Sequence, residues 1–295
     1  MHGPPAPGEA TSGRNHDEGD VLIRVSLQLL AVYLVVMLVP MAHWSLASAE
    51  WLRFAAHVAA IGLVLSGISN RRPITRTLRD WTPLGLGPFL YIELRWIIAG
   101  AGRAHADAQL AGWESHLFAS DPSRSLAVRW PWLALSELLH LCYISYYALV
   151  YVPPALLWLR GRRRAFGETV LALVVVYAVC FAVYVIFPVD GPRFLHGPSL
   201  APDGPIRSIV VRLLESGSSR GTAFPSSHVA ASVVAALSAL RFQRRVGAVV
   251  AVLATGLAVG AVYGGYHYAV DVLAGAAIGL ASWAVARVVC REVLR

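Results

Sequence analysis

Long apolar runs recur along the whole chain, and short clusters of arginine separate many of them. That rhythm limits what the chain can fold into more than any other feature. A helix needs about 20 apolar residues to cross the hydrocarbon of a bilayer. Runs near 21–44, 51–69, 81–102, 132–159, 169–188, 246–264 and 266–287 reach or approach that length, and one at 228–242 is short for a span. The expected fold is therefore all-α, a polytopic membrane protein with about eight transmembrane helices. Composition agrees. Of the 295 residues, 57% are hydrophobic and 14% charged, with a mean hydropathy of +0.58. Soluble domains carry about 25% charge, so the balance rules out a disordered chain and disfavours a water-soluble globule.

The 25 basic residues are all arginine, and the net charge is +8. Such a balance suits nucleic acid as a partner, but here the arginines sit in loops between apolar runs, which points to the bilayer instead. Arg71, Arg72, Arg76 and Arg79 follow the second run, and Arg160, Arg162, Arg163 and Arg164 the fourth. Arg241, Arg244 and Arg245 follow the sixth, and Arg287, Arg291 and Arg295 close the chain. Eight spans put all four clusters and both termini on one side, which the positive-inside rule makes cytoplasmic. The compositional leaning to Ala, Val and Arg without lysine suggests a bacterial plasma (inner) membrane.

Residues 1–20 read as a disordered cytoplasmic tail, and 21–80 as two N-terminal transmembrane helices. The tail does not read as a signal peptide, because no small-residue cleavage site follows a short apolar core. Cys142, Cys180 and Cys290 all lie in apolar runs with no disulfide or zinc spacing, and read as buried fillers. Two long connections fall on the extracytoplasmic face. Residues 103–131 carry Trp113, with Trp130 and Trp132 at the end, suited to an interface. Within 189–227, Pro205 to Glu215 reads as a short surface helix with proline in its first turn.

Three motifs gather on that face: Gly191-Pro192-Arg193, Phe224-Pro225-Ser226-Ser227-His228 and Tyr266-His267-Tyr268-Ala269-Val270-Asp271. His267 and Asp271 are four apart and share a helical face. A carboxylate there can fix the imidazole tautomer and leave the other nitrogen as nucleophile or base. An acid inside an apolar helix is a functional candidate by default, although the pair can also simply lock two helices. Ser226 and Ser227 stand at a helix start, where free N–H groups favour phosphate and where serine is also an ordinary cap. Arg193 offers a planar fork for phosphate oxygens.

The order Arg, Pro-Ser-x-His, His-x3-Asp resembles the type 2 phosphatidic acid phosphatase superfamily, over roughly 81–295. The resemblance implies a six-helix catalytic core that cleaves lipid phosphoesters through a phosphohistidine, with no cofactor and no metal. His267 would be the nucleophile, Asp271 its orienting partner and His228 the acid and base. Arg193, Ser226 and Ser227 would hold the phosphoryl group.

The sequence also departs from the family. Ile186 and Phe194 stand where the first motif has lysine and proline, Ser227 replaces the glycine of Pro-Ser-Gly-His, and Gly260 and Ala261 replace the Ser-Arg of the third. Two phosphate-binding cations are thus missing. The pattern is similar to the branch of inositol phosphorylceramide synthase and sphingomyelin synthase, which transfer phospho-headgroups between lipids. Arg220, eight residues before His228, is a candidate for the replacement charge. A simple phosphatidic acid or polyprenyl (di)phosphate phosphatase is the alternative. A proton-coupled transporter and a silent lipid-binding protein are the readings from other classes.

Glu137, His140 and Tyr143 share a helical face near the same side. They suit either an acceptor hydroxyl or an interhelical hydrogen-bond set. Glu93 and Arg95, two apart in the third run, each need a partner elsewhere. Gly256, Gly260 and Gly264, and Gly275 and Gly279, read as close-packing faces. His43, His57 and His116 read as interfacial or satisfied.

Overall fold

The computed structural model describes residues 7–42, 48–69 and 75–295. Helices dominate: α1 Pro7–Met41, α2 Ser48–Ser69, α3 Arg76–Gly85, α4 Gly87–Ala101, α5 Asp107–Phe118, α6 Pro122–Arg129 and α7 Leu133–Ile144. There follow α8 Tyr146–Leu159, α9 Arg163–Ile186, α10 Pro192–His196, α11 Pro205–Gly217, α12 Ser227–Phe242, α13 Arg244–Tyr263 and α14 Ala269–Val293. Among the described residues no strand forms, only one isolated bridge between Val189 and Thr222.

Among the described residues, six helical stretches are long and apolar enough to cross a membrane: Gly13–Met41, Glu50–Ser69, Arg76–Ala101, Arg163–Ile186, Arg244–Tyr263 and Ala269–Val293. Leu133–Ile144 and Tyr146–Leu159 make a seventh if the pair, bent by 45°, counts as one span. The chain is thus an all-α polytopic membrane protein with six to seven candidate spans. The remaining apolar run, expected as an eighth, is the 16-residue α12. Its length falls short of a crossing.

α9 is the hub. It packs against α1, α4, α8, α12 and α14, and Val170 to Val174 are buried without interruption. An apolar helix surrounded on all sides needs no polar face, which is why its run shows no amphipathic period. The small residues read as packing faces do bring backbones together. A Cβ on Gly260 would stand 2.6 Å from Leu139 O, and one on Gly279 would stand 2.6 Å from Ala230 O. The second contact presses α14 against α12, the two helices that carry the histidine motifs.

The arginine clusters meet at one end of the bundle. Asp20 accepts from Arg76 (2.8 Å) and Arg79 (2.7 Å), Arg163 reaches Asp80 (3.2 Å), and Arg241 pairs with Glu168 (3.2 Å). Residues 7–20 correct the expectation of a disordered tail, because they continue α1 as helix. Asn15 donates to Gly161 O at 2.8 Å and Glu18 accepts from Arg164 at 2.8 Å, so this stretch is docked by polar bonds. Residues 1–6, and with them the start of that tail, lie outside the described residues, as do Arg71, Arg72 and His43.

Glu93 and Arg95 find their partners. Both Glu93 oxygens lie 2.8 Å from His57 Nδ1, and His57 Nε2 donates to Leu34 O at 2.9 Å, pinning α1, α2 and α4 together. Arg95 donates to Ser218 O at 3.4 Å. All three cysteines are free and buried, as read from the sequence.

Two spans break beside one another. Pro88 has no N–H to give Leu84 O, and that carbonyl instead accepts from Tyr151 OH at 3.1 Å. α3 ends at Gly85 and α4 starts at Gly87, while α7 and α8 part at Ser145. A cavity of about 210 Å³ lies along these breaks, walled by Leu84, Pro88, Ile92, Tyr147, Val150 and Leu213.

Candidate active site

α12 and α14 begin side by side at the end of the bundle opposite the arginine clusters. Ser226 caps α12, its Oγ accepting from Val229 N–H at 3.4 Å, and its own N–H donates to Asp271 O at 3.0 Å. Tyr184, fully buried on α9, donates its hydroxyl to Pro225 O (2.8 Å) and accepts from Ser227 N–H (3.1 Å). These bonds fix where His228, in the first turn of α12, must stand. Its ring lies 4.4 Å from that of Tyr146, stacks on Tyr143 at 5.5 Å, and is 6.0 Å from the ring of His267.

His267 occupies the tight turn between α13 and α14. Its Nδ1 lies 2.9 Å from the carbonyl of Ala223. A carbonyl can only accept, so the proton sits on Nδ1 and Nε2 carries the lone pair. Asp271 Oδ2 is 3.5 Å from Nδ1 and accepts instead from Tyr268 N–H at 2.8 Å. Asp271 Oδ1 is buried without a hydrogen-bond partner among the described residues. Burial, with the bond to Ala223 opposing and the charge of Arg193 adding, pushes the His267 imidazole down to about 4. The ring is therefore a neutral base at pH 7.

A small cavity of about 30 Å³ is lined by His228, His267, Arg193, Asp190, Tyr266 and Ser218, among others. Arg193 donates to Ser218 Oγ and lies 4.4 Å over the ring of Phe194. Tyr91, Tyr143, Leu214, Ser218 and His228 line this cavity and the 210 Å³ one alike, so a polar pocket with two imidazoles and a guanidinium opens onto an apolar slot.

The remaining residues singled out from the sequence fall in different places. Ser226 is fully buried and engaged as a cap, whereas Ser227 lines the apolar slot. Arg220 is exposed and grips Asp190 Oδ2 through both Nε (3.0 Å) and Nη2. Its fork is occupied by a carboxylate. Glu137 accepts from Ile206 N–H (2.9 Å) and Arg207 N–H (3.0 Å), placing its charge on the N-terminus of α11. There it neutralises free amides. His140 donates from Nδ1 to Ser136 O at 2.6 Å. Of that trio only Tyr143 reaches the two cavities.

Sequence reasoning passed over Tyr91, Asp190 and Ser218. The spacing of Tyr143, Tyr146, Tyr147 and Tyr151, a helical face of tyrosines, is the signal that marks the slot. Nothing local marks Ser218, which enters the site from the end of α11.

A family model described as the PAP2 superfamily matches residues 110–285, more than half of the chain and all three motifs. The chain belongs to the PAP2 superfamily, and its chemistry is, at the family level, that of a phosphatase-like lipid phosphoesterase. No curated protein and no solved structure matches it.

Proposed function

We propose that the chain cleaves a lipid phosphoester through a phosphohistidine on His267, in the manner of the inositol phosphorylceramide synthase branch. The observation that carries this reading is the Ala223 bond, which leaves Nε2 of a neutral His267 bare beside Arg193 and His228. Nε2 attacks phosphorus and forms a P–N bond as the P–O bond to the leaving group breaks. Burial and the neighbouring His267 push the free His228 imidazole down to about 3, so it takes up a proton as the anionic phosphoryl group binds and gives it to the departing oxygen. An acceptor hydroxyl then loses its proton to His228, attacks phosphorus, and releases His267. Arg193 holds the non-bridging oxygens through both steps. Asp271, at 3.5 Å, offsets the positive charge of the phosphorylated ring.

Two features favour a phosphodiester, and so a transferase. Arg193 is the one cation among the residues lining the small cavity, and the Asp190 carboxylate lines it too. Such a site suits a phosphorus carrying one negative charge better than a monoester dianion. The apolar slot running from His228 between two broken spans suits the hydrocarbon of a lipid. Within this reading the extracytoplasmic leaflet supplies the substrate, both termini are cytoplasmic, residues 81–295 form the catalytic core, and no metal takes part.

The test is purified protein in detergent given lipid phosphomonoesters and phosphodiesters, with His267→Ala as control. A new phospholipid that requires an added alcohol or acceptor lipid supports transfer. Free phosphate without acceptor dependence supports the simple phosphatase. Equal turnover by wild type and the His267→Ala variant removes the phosphohistidine, and no turnover by either favours a transport or silent binding role.

A further inference from the structure

α5 holds two of the segments that flank the small cavity, through two carboxylates. Asp107 opens α5 and Glu114 lies seven residues on. Seven residues turn a helix by nearly two full turns, so the two acids share one face about 10 Å apart. Asp107 takes two amides of the loop before Arg193: Oδ2 accepts from Asp190 N–H at 3.0 Å and Oδ1 from Gly191 N–H at 2.9 Å. A further bond, from Ala106 N–H to Pro188 O at 2.9 Å, straps the start of α5 to the same loop.

That loop has little other freedom. Gly191 has φ +96°, and a Cβ there would lie 3.0 Å from Tyr266 O and 3.2 Å from Ala223 Cβ. Asp190, once seated, organises the next segment: its Oδ1 accepts from Gly221 N–H at 2.8 Å and its Oδ2 from Arg220.

Glu114 is 1% exposed. Its Oε2 accepts from Ala269 N–H and its Oε1 from Ser123 N–H, each at 3.2 Å. Ala269 is the first residue of α14, two after His267. Asp271 takes the neighbouring amide, Tyr268 N–H. Two acids from different elements therefore hold consecutive amides of the turn that aims the imidazole.

We infer that α5 is a two-point spacer in which Asp107 and Glu114 are positioning residues, one seating the Arg193 loop and the other the His267 turn. The helix between them fixes the span from phosphate-binding guanidinium to attacking nitrogen. This inference rests on the reading of His267 and Arg193 given above. A rigid rod does this better than the loops themselves, because a helix holds its length whereas the loops carry glycine and proline. Each carboxylate accepts two N–H groups with two oxygens, and an amide in its place keeps one acceptor oxygen and loses the other bond.

The test uses the full chain in detergent, with Asp107→Asn and Glu114→Gln beside wild type. Three readings are taken: kcat and KM for the lipid phosphoester, thermal midpoint, and the rate at which diethyl pyrocarbonate acylates His267, followed on its peptide by mass spectrometry. Glu114→Gln should lower kcat by about 10- to 100-fold with little change in KM, since misaiming a reacting group has costs of that order. It should also change the His267 acylation rate severalfold. Asp107→Asn should raise KM about tenfold and leave His267 acylation near wild type, because it loosens the phosphate grip. Turnover and acylation at wild-type level in both variants overturn the inference. So does an equal fall of kcat and 1/KM in both that tracks a lost thermal midpoint. If wild type shows no phosphoester turnover, the functional reading falls, and the acylation contrast between the two variants still decides whether α5 aims His267.

Discussion

His267 Nδ1 donates to the backbone carbonyl of Ala223 at 2.9 Å, while Asp271 Oδ2 stands off at 3.5 Å. The tautomer of the candidate nucleophile is thus set by main chain, and the acid four residues on stands where it can face a charged ring. Where a carboxylate alone sets the tautomer, its amide variant costs about 10⁴ in kcat. Here Asp271→Asn keeps the Nδ1 proton in place and loses only the stabilisation of a charged ring. A fall of about 10- to 100-fold in kcat is expected, the size of one electrostatic contact removed. Steady-state kinetics of that variant check it, and a complete loss with a normal thermal midpoint would return the orienting role to Asp271.

The two arginines should behave differently. Arg193 lines the cavity with both histidines, whereas Arg220 is exposed and paired to Asp190. Arg193→Ala is expected to lower kcat/KM by about 10²- to 10³-fold, as for loss of one aimed donor. Arg220→Ala should change it less than about tenfold, since an exposed ion pair contributes at most about 1 kcal/mol. A larger effect from Arg220 than from Arg193 would mean that the salt bridge opens to grip phosphate.

Acid and base limits follow from two groups of opposite sign. His267, held down to about 4 by burial, stays neutral as pH falls past the ordinary histidine value of about 6.5. Between those two values the unfolded chain binds more protons than the folded one. Its contribution to stability is therefore whole above 6.5 and is lost as pH falls through 4. Glu114 is pushed up to about 7, by burial first, with the charges of Asp121 and Asp271 adding and its two N–H bonds opposing. The folded chain then holds the extra proton, so that contribution is whole below about 4.5 and is lost as pH rises through 7. Between pH 6 and pH 8 the thermal midpoint of wild type should drop relative to that of Glu114→Gln, in which the His267 contribution is the same and the Glu114 loss is absent. An NMR titration of His267 should show no transition near 6.5.

The slot should read chain length. Val150 is 1% exposed at its wall and does not line the small polar cavity. Val150→Phe fills part of the 210 Å³ while leaving the small polar cavity untouched. KM should rise severalfold for long-chain substrates and stay level for short-chain ones. An equal change for both would place the hydrocarbon elsewhere.

Much of the architecture was legible because apolar length and arginine clusters are local signals. Seven of the eight runs became spans or a bent span, and the histidine motifs came together at one end because α12 and α14 start there. What escaped the sequence depended on partners far along the chain. Residues 7–20 looked like a tail, yet Asn15 and Asp20 are held by groups 146 and 59 residues away. Arg220 looked like a spare cation until Asp190, 30 residues earlier, took its fork. Glu137 looked available until α11 folded back onto it. Polar side chains announce that a partner exists, but only the fold says which one.

The most direct test is to find the phosphorus. Wild-type protein is incubated with substrate labelled at phosphorus, quenched, and digested under alkaline conditions, where phosphohistidine survives. The account predicts an acid-labile label on the peptide that contains His267, absent from His267→Ala. Label that persists in that variant, or turnover that proceeds with no labelled peptide at all, would contradict it.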